Sequence, residues 1–76
     1  MKQSILKDKV NSNEVFNVEM MRNPAELTEW VIWIRDASGK SFLLTNDIDV
    51  VMAEVDINKC LGMLRNLGIK NANITL

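Results

Sequence analysis

The chain has 76 residues, nine basic and ten acidic side chains, a net charge of −1 and a hydrophobic fraction of 47%. A chain of this length forms one domain, residues 1–76, whose small core supplies only about 3–5 kcal/mol of net stability unless something reinforces it. The near-neutral charge excludes the basic footprint of a duplex-binding protein. Cys60 is the only cysteine and histidine is absent, so an internal disulfide is excluded and a zinc site would need an unusual ligand set. Oligomerisation is therefore the most available reinforcement.

The composition also bears on location. No segment reaches the roughly 18 apolar residues that a membrane span needs, and residues 1–9 lack the long apolar stretch of a secretion signal. One free cysteine without an export signal fits a reducing compartment, so we predict a cytoplasmic protein. The initial methionine and the absence of a tag lead us to expect a complete small gene product.

The first ten residues fit two local structures. Ile5, Leu6 and Val10 can form the apolar edge of one short helix, whereas residues 3–10 could instead form an edge strand. We favour the short helix, which the turn-forming residues 11–13 would end.

The strand predictions begin at residues 14–22, where apolar and polar side chains alternate with the period of a half-buried strand. Pro24 ends this strand because it has no N–H to donate to a neighbouring strand. Residues 24–28 are predicted to be a connecting loop with room for one helical turn. Residues 29–35 are the clearest strand of the chain because they are dense in β-branched and aromatic residues.

A hairpin follows this strand. Residues 36–40 predict the turn, in which Gly39 can take a positive φ without steric penalty, and residues 40–45 predict the returning strand. Residues 46–49 predict a second turn. Residues 50–55 fit both a short strand and a forward extension of the next helix, and their density of valine favours the strand.

The last third of the chain predicts a capped helix and a final strand. Asp56 fits the N-cap position, and apolar side chains recur at helical spacing over residues 57–67. Gly68 fits the left-handed residue that ends a helix, while Gly62 interrupts the helix at a cost of about 1 kcal/mol relative to alanine. Residues 70–76 alternate in polarity and predict the closing strand.

These elements predict an α+β fold. It is a two-layer sandwich, an antiparallel β-meander with one main helix on one face, a short N-terminal helix and a final C-terminal strand added in parallel as the fifth strand.

The alternation of the strands divides the apolar residues between two faces of the sheet. The face beneath the main helix is predicted to carry Phe16, Val18, Met20, Trp30, Ile32, Ile34, Phe42, Leu44, Ile74 and Leu76. The opposite face is predicted to carry Val15, Met21, Val31, Trp33 and Leu43, with Val51 and Ala53 as further candidates, among the polar residues Asn17, Glu19, Arg35, Ser41 and Thr45.

Trp33 makes the opposite face the candidate interaction surface, because burying a whole tryptophan stabilises a protein by up to about 4–6 kcal/mol. The candidate interface consists of Val31, Trp33, Arg35 and Leu43. Two covers are compatible with the sequence. The N-terminal segment could fold back with Ile5 and Leu6 over Trp33, or a second copy or another protein could cover it.

No pattern in the chain carries catalytic, metal or cofactor chemistry. Without histidine the commonest general base is missing, and Cys60 falls on the apolar face of the helix, where a buried thiol is unreactive. The three glycines are too widely separated to form a phosphate-binding loop. The acidic residues between the second turn and the helix lack the glycine and terminal glutamate of a calcium loop, so turn and cap roles are expected for Asp47, Asp49, Glu54 and Asp56.

The sequence therefore predicts a small non-enzymatic protein-interaction module without cofactors, metals or an evident small-molecule substrate. We expect a homodimer, or an adaptor or inhibitor of another protein, acting through the Trp33 face or through unpaired sheet edges. The alternative is a small regulatory protein that contacts nucleic acid through the sheet face, for which Trp33 and Arg35 supply only a minimal stacking and charge pattern.

Overall fold

Two helices pack on one face of a four-stranded mixed sheet in the computed structural model, which describes residues 1–76. The elements are α1 Gln3–Asn11, β1 Asn17–Asn23, β2 Glu26–Arg35, β3 Ser41–Leu43, α2 Ile57–Asn66 and β4 Asn73–Ile74. The strands lie in the order β3-β2-β1-β4; β1, β2 and β3 are antiparallel neighbours, and β4 runs parallel to β1. The predicted α+β class is confirmed, with four strands instead of the five that were expected.

The β1–β2 hairpin forms the centre of the sheet. Val18 lies opposite Ile34 and Met20 opposite Ile32, as their shared alternation requires. The loop predicted over residues 24–28 is wrong, since β2 already begins at Glu26. The connection can be this short because the Asn23 side chain accepts a hydrogen bond from the Ala25 N–H at 3.0 Å and so completes the turn locally.

The turn between β2 and β3 is organised by Asp36. Its carboxylate accepts hydrogen bonds from the Ser38 N–H at 3.0 Å, the Ser38 hydroxyl at 2.7 Å and the Lys40 N–H at 3.0 Å. Gly39 has a φ of 90°, as the predicted turn requires. The Ser38 hydroxyl, followed by the backbone donors, lowers the pKa of Asp36.

The predicted N-terminal helix is confirmed as α1, and the chain before it extends the edge of β3. The Met1 amine donates to the Leu43 carbonyl at 2.8 Å, the Thr45 N–H donates to the Met1 carbonyl at 2.9 Å, and the Gln3 N–H donates to the Thr45 carbonyl at 2.9 Å. Asp47 accepts the Ser4 N–H at 3.2 Å and thereby satisfies one of the free donors at the start of α1.

Residues 50–55 form neither of the two structures considered for them. They pair with neighbouring segments only at two isolated bridges, Val51 with Thr45 and Glu54 with Trp30. The second bridge consists of two backbone hydrogen bonds, from the Trp30 N–H to the Glu54 carbonyl at 2.7 Å and from the Glu54 N–H to the Trp30 carbonyl at 3.1 Å. The segment is extended, but it pairs too sparsely to make a fifth strand.

Both predicted caps of α2 are confirmed. Asp56 accepts a hydrogen bond from the Asn58 N–H at 2.9 Å. At the other end Gly68 has a φ of 87° and donates to the Arg65 carbonyl at 3.0 Å, while the Ile69 N–H donates to the Leu64 carbonyl at 3.0 Å. These two bonds form a Schellman motif, which satisfies carbonyls at the end of the helix.

The core lies between the two helices and the inner face of the sheet. It consists of Leu6, Val18, Met20, Trp30, Ile32, Ile34, Leu44, Cys60, Leu64 and Leu67. Phe16 and Phe42, which were predicted to face inward, are half-buried. Ile74 lies beside Met20 on the inner face, as predicted, but is 43% exposed. The inward prediction is wrong for Leu76, which is 96% exposed. The closing strand spans only residues 73–74. The Thr75 N–H after it still donates to the Met20 carbonyl of β1 at 2.9 Å, whereas Leu76 is exposed.

Candidate functional site on the outer sheet face

Both helices pack on the same side of the sheet, which leaves the opposite side, here called the outer face, without a helix over it. Leu6 of α1 is fully buried in the same core cluster as Cys60 and Leu64 of α2. Ile5 lines one surface cleft together with Phe16 and Phe42, two residues of the inner set. The expectation that the N-terminal segment folds over Trp33 is therefore wrong, because Leu6 packs against the other face.

The strand register places the predicted interface residues in adjacent rows across the outer face. Trp33 lies between Leu43 on β3 and Glu19 on β1, and Glu19 in turn lies beside Asn73 on β4. In the next row Arg35 lies between Ser41 and Asn17, and on the other side of Trp33 the buried Val31 lies opposite Met21. All four predicted residues, Val31, Trp33, Arg35 and Leu43, thus share this face.

The outer face is concave where these rows meet. A groove of about 570 Å³ is lined by Asn17, Val18, Glu19, Met21, Trp33, Arg35, Ser41 and Asn73. Asn73 was not among the predicted residues of this face. Its alternation with Ala72 and Ile74 would have indicated the face, but its position beside Glu19 depends on the pairing of β4 with β1.

Trp33 is covered in part by its own sheet. Its exposed fraction is 36%, whereas Val31 beside it is only 4% exposed. Taking a tryptophan surface of about 250 Å², some 90 Å² of Trp33 remains available to another molecule. Covering that area would contribute about 2 kcal/mol to the free energy of binding for each tryptophan covered, which is less than half of the upper bound expected for burial of a whole tryptophan. Val31 and Trp33 thus form a partly buried apolar pair instead of a fully exposed patch.

Two opposite charges, Glu19 and Arg35, flank Trp33, and neither forms an ion pair. The ion pairs of the molecule are Lys2–Asp49 and Lys9–Glu14, both at 3.8 Å and away from the groove. Arg35 instead donates from its Nε to the Ser41 hydroxyl at 3.3 Å, toward β3 and away from Glu19. Glu19 is half-buried on β1. The groove therefore carries one free acid and one free base.

The remaining candidate residues have structural roles. Cys60 is 2% exposed, and burial, with smaller contributions from Glu54 and Asp56, raises the pKa of its thiol. A neutral buried thiol is a poor nucleophile and a poor metal ligand. No group of three or more histidine, cysteine, aspartate or glutamate side chains is arranged to hold a metal ion.

The acidic residues considered for a calcium loop serve turns and caps, as expected. Asp47 accepts the Ser4 N–H, Asp49 pairs with Lys2, and Asp56 caps α2. Glu54 accepts the Asp56 N–H at 3.2 Å.

Sequence reasoning missed one contact at the end of the core. The guanidinium carbon of Arg22 lies 4.1 Å from the ring centroid of Trp30, which is 5% exposed. Arg22 and Trp30 are paired in the β1–β2 register. The alternation that placed Val18 and Met20 inward also places Arg22 inward, and this was the available indication.

No helix has the length and apolar character needed to cross a bilayer. Comparison with models of protein families, with curated proteins and with solved structures yields no match to this chain.

Proposed function

We propose that this protein is a small non-enzymatic interaction module that binds another protein molecule through the outer face of its sheet. The observation that carries the proposal is the position of the two helices. Because α1 and α2 both pack on the inner face, no helix lies over the outer face, where Trp33 stays 36% exposed beside the buried Val31. A sheet face that is only solvated is usually polar along all its strands. Here β2 is apolar at two consecutive outward positions, Val31 and Trp33.

The chemistry of the groove supports a protein partner over nucleic acid. Phosphate binding requires an excess of lysine and arginine, whereas the groove carries one arginine and one glutamate. No nucleophile with an adjacent base lines it, which is why we propose binding without catalysis. We place this activity in the cytoplasm, where the single cysteine would remain reduced.

Site-specific photo-crosslinking in the native cell tests this proposal. A photoreactive amino acid is placed at Ser41 in the groove and, as a matched control, at Asn58 on the exposed side of α2. We expect protein adducts, including adducts between copies of this chain, from the Ser41 position only. Equal yields at both positions, or adducts with nucleic acid alone, would contradict the proposal.

A further inference from the structure

We propose that the molecule that covers the outer face is a second copy of this chain, packed face to face about a two-fold axis that pairs Glu19 of each copy with Arg35 of the other. This inference rests on the proposed function, since it identifies the partner of the same surface. Three features of the molecule support a second copy: the charges of the groove, the geometry of the sheet and the size of the face.

The charges of the groove are self-complementary. In a two-fold dimer the same patch meets itself, so each charge must meet an opposite charge of the same patch. Glu19 and Arg35 are the acid and the base among the residues that line the groove, and neither has an ion-pair partner within its own chain. An acidic partner would leave Glu19 opposed by a like charge, and a basic partner would do the same to Arg35. A second copy satisfies both.

The sheet geometry brings the tryptophans together when these charges are exchanged. Neighbouring strands lie about 4.8 Å apart and alternate residues of one strand about 6.8 Å apart, so Glu19 and Arg35 are about 8 Å apart along a diagonal. A two-fold axis in the plane of the interface must bisect that diagonal at a right angle, and on these spacings it passes within about 2 Å of Trp33. The exchange of charges therefore places Trp33 of one copy against Trp33 of the other.

The same axis sets the relative orientation of the two sheets. On these spacings the strands of the two copies cross at roughly 70°, which is close to the orthogonal class of sheet packing. The four strands hold 7, 10, 3 and 2 residues, and at about 16 Å² per residue the face has a planar footprint of roughly 360 Å². Two such faces total roughly 700 Å², which is smaller than a standard specific interface, so we expect a weak, reversible dimer with a Kd on the order of tens of micromolar.

Charge reversal with mixing tests the pairing directly. The variants are E19R and R35E, each followed by sedimentation from about 1 μM to about 1 mM. Each variant alone places two like-charged pairs across the axis, and we expect its dimer Kd to rise at least about tenfold. An equimolar mixture of the two variants restores both opposite-charge pairs, so the mixture should form a heterodimer with nearly the wild-type affinity. I48S, which changes an exposed turn residue that does not line the groove, should dimerise like the wild type.

Three results would overturn the proposal. If the wild-type chain stays monomeric over the whole concentration range of the sedimentation experiment, it forms no such dimer. The crosslinks from the Ser41 position would then identify a different protein on the same face. A dimer that E19R and R35E leave unchanged lies on another surface. A mixture that remains monomeric, although both variants retain the wild-type circular dichroism spectrum, rules out the Glu19–Arg35 exchange.

Discussion

Substitution of Gly68 should destabilise the fold far more than substitution of Gly62. Gly68 has a φ of +87°, and a Cβ at this position would lie 3.0 Å from Val10 Cγ1 of α1. A Cβ at Gly62 would meet no atom within 4 Å. The left-handed conformation costs a non-glycine residue about 1–2 kcal/mol, and crowding against Val10 adds about 1–3 kcal/mol. Gly62→Ala, by contrast, should stabilise α2 by up to about 1 kcal/mol.

The net stability of a domain this small is about 3–5 kcal/mol, so Gly68→Val is expected to leave the chain largely unfolded. The graded variant Gly68→Ala should remain measurable. With a urea dependence of about 1 kcal/mol per molar, its unfolding midpoint should lie at least about 2 M below that of Gly62→Ala.

Two further variants separate the causes of that loss. Gly68→Asn keeps a Cβ but tolerates the left-handed conformation better than alanine does, so its midpoint should lie above that of Gly68→Ala. Val10→Ala in the Gly68→Ala background should recover the part of the loss that comes from crowding. If Gly62→Ala proves the more damaging of the two single substitutions, the assigned end of α2 is wrong.

Three other predictions follow from the environments of single side chains. Cys60 should resist a thiol reagent under native conditions and react fully in urea; rapid modification of the folded protein would show that the thiol is not buried. Ser38→Ala should raise the pKa of Asp36 in an NMR titration. Because a lowered folded pKa stabilises the fold fully above the unfolded pKa and loses this effect as the pH falls through the folded pKa, the stability difference present at pH 7 should disappear progressively below about pH 4. Arg22→Gln should lower the free energy of unfolding by about 0.5–1 kcal/mol, and Arg22→Lys should lower it less; equal stability of all three proteins would show that the stacking on Trp30 contributes nothing.

The features that local patterns encode were predictable from the sequence. Period-two alternation identified the inward set of β1 and β2, from Val18 to Ile34, because one buried face fixes the register of a strand. The caps at Asp56 and Gly68 were predictable for a similar reason, since both depend on backbone groups within a few residues of the cap.

The remaining features depend on pairings between distant segments. Ser4 at the start of α1 is capped by Asp47, and Met1 pairs with Leu43, contacts that no local pattern indicates. The sequence did not determine the side of the sheet on which α1 packs, for the same reason, since Ile5 and Leu6 could have packed against either face. Alternation alone also overestimated the closing strand, because a strand needs a partner, and β1 provides one only beside residues 73–74.

The distribution of polarity over the outer face connects the fold with the proposed interaction. Antiparallel sheets can leave one face in water when its outward positions are polar. On this sheet that condition holds at Asn17 and Glu19 of β1 but fails on β2, where Val31 and Trp33 point outward. The result is an apolar centre on an inner strand, which Leu43 extends beside Trp33 and Met21 extends beside Val31, with polar residues such as Asn17 and Ser41 at its border. Interfaces combine an apolar centre and a polar rim in the same way. Its rim carries one charge of each sign, and a second copy of the chain can match both.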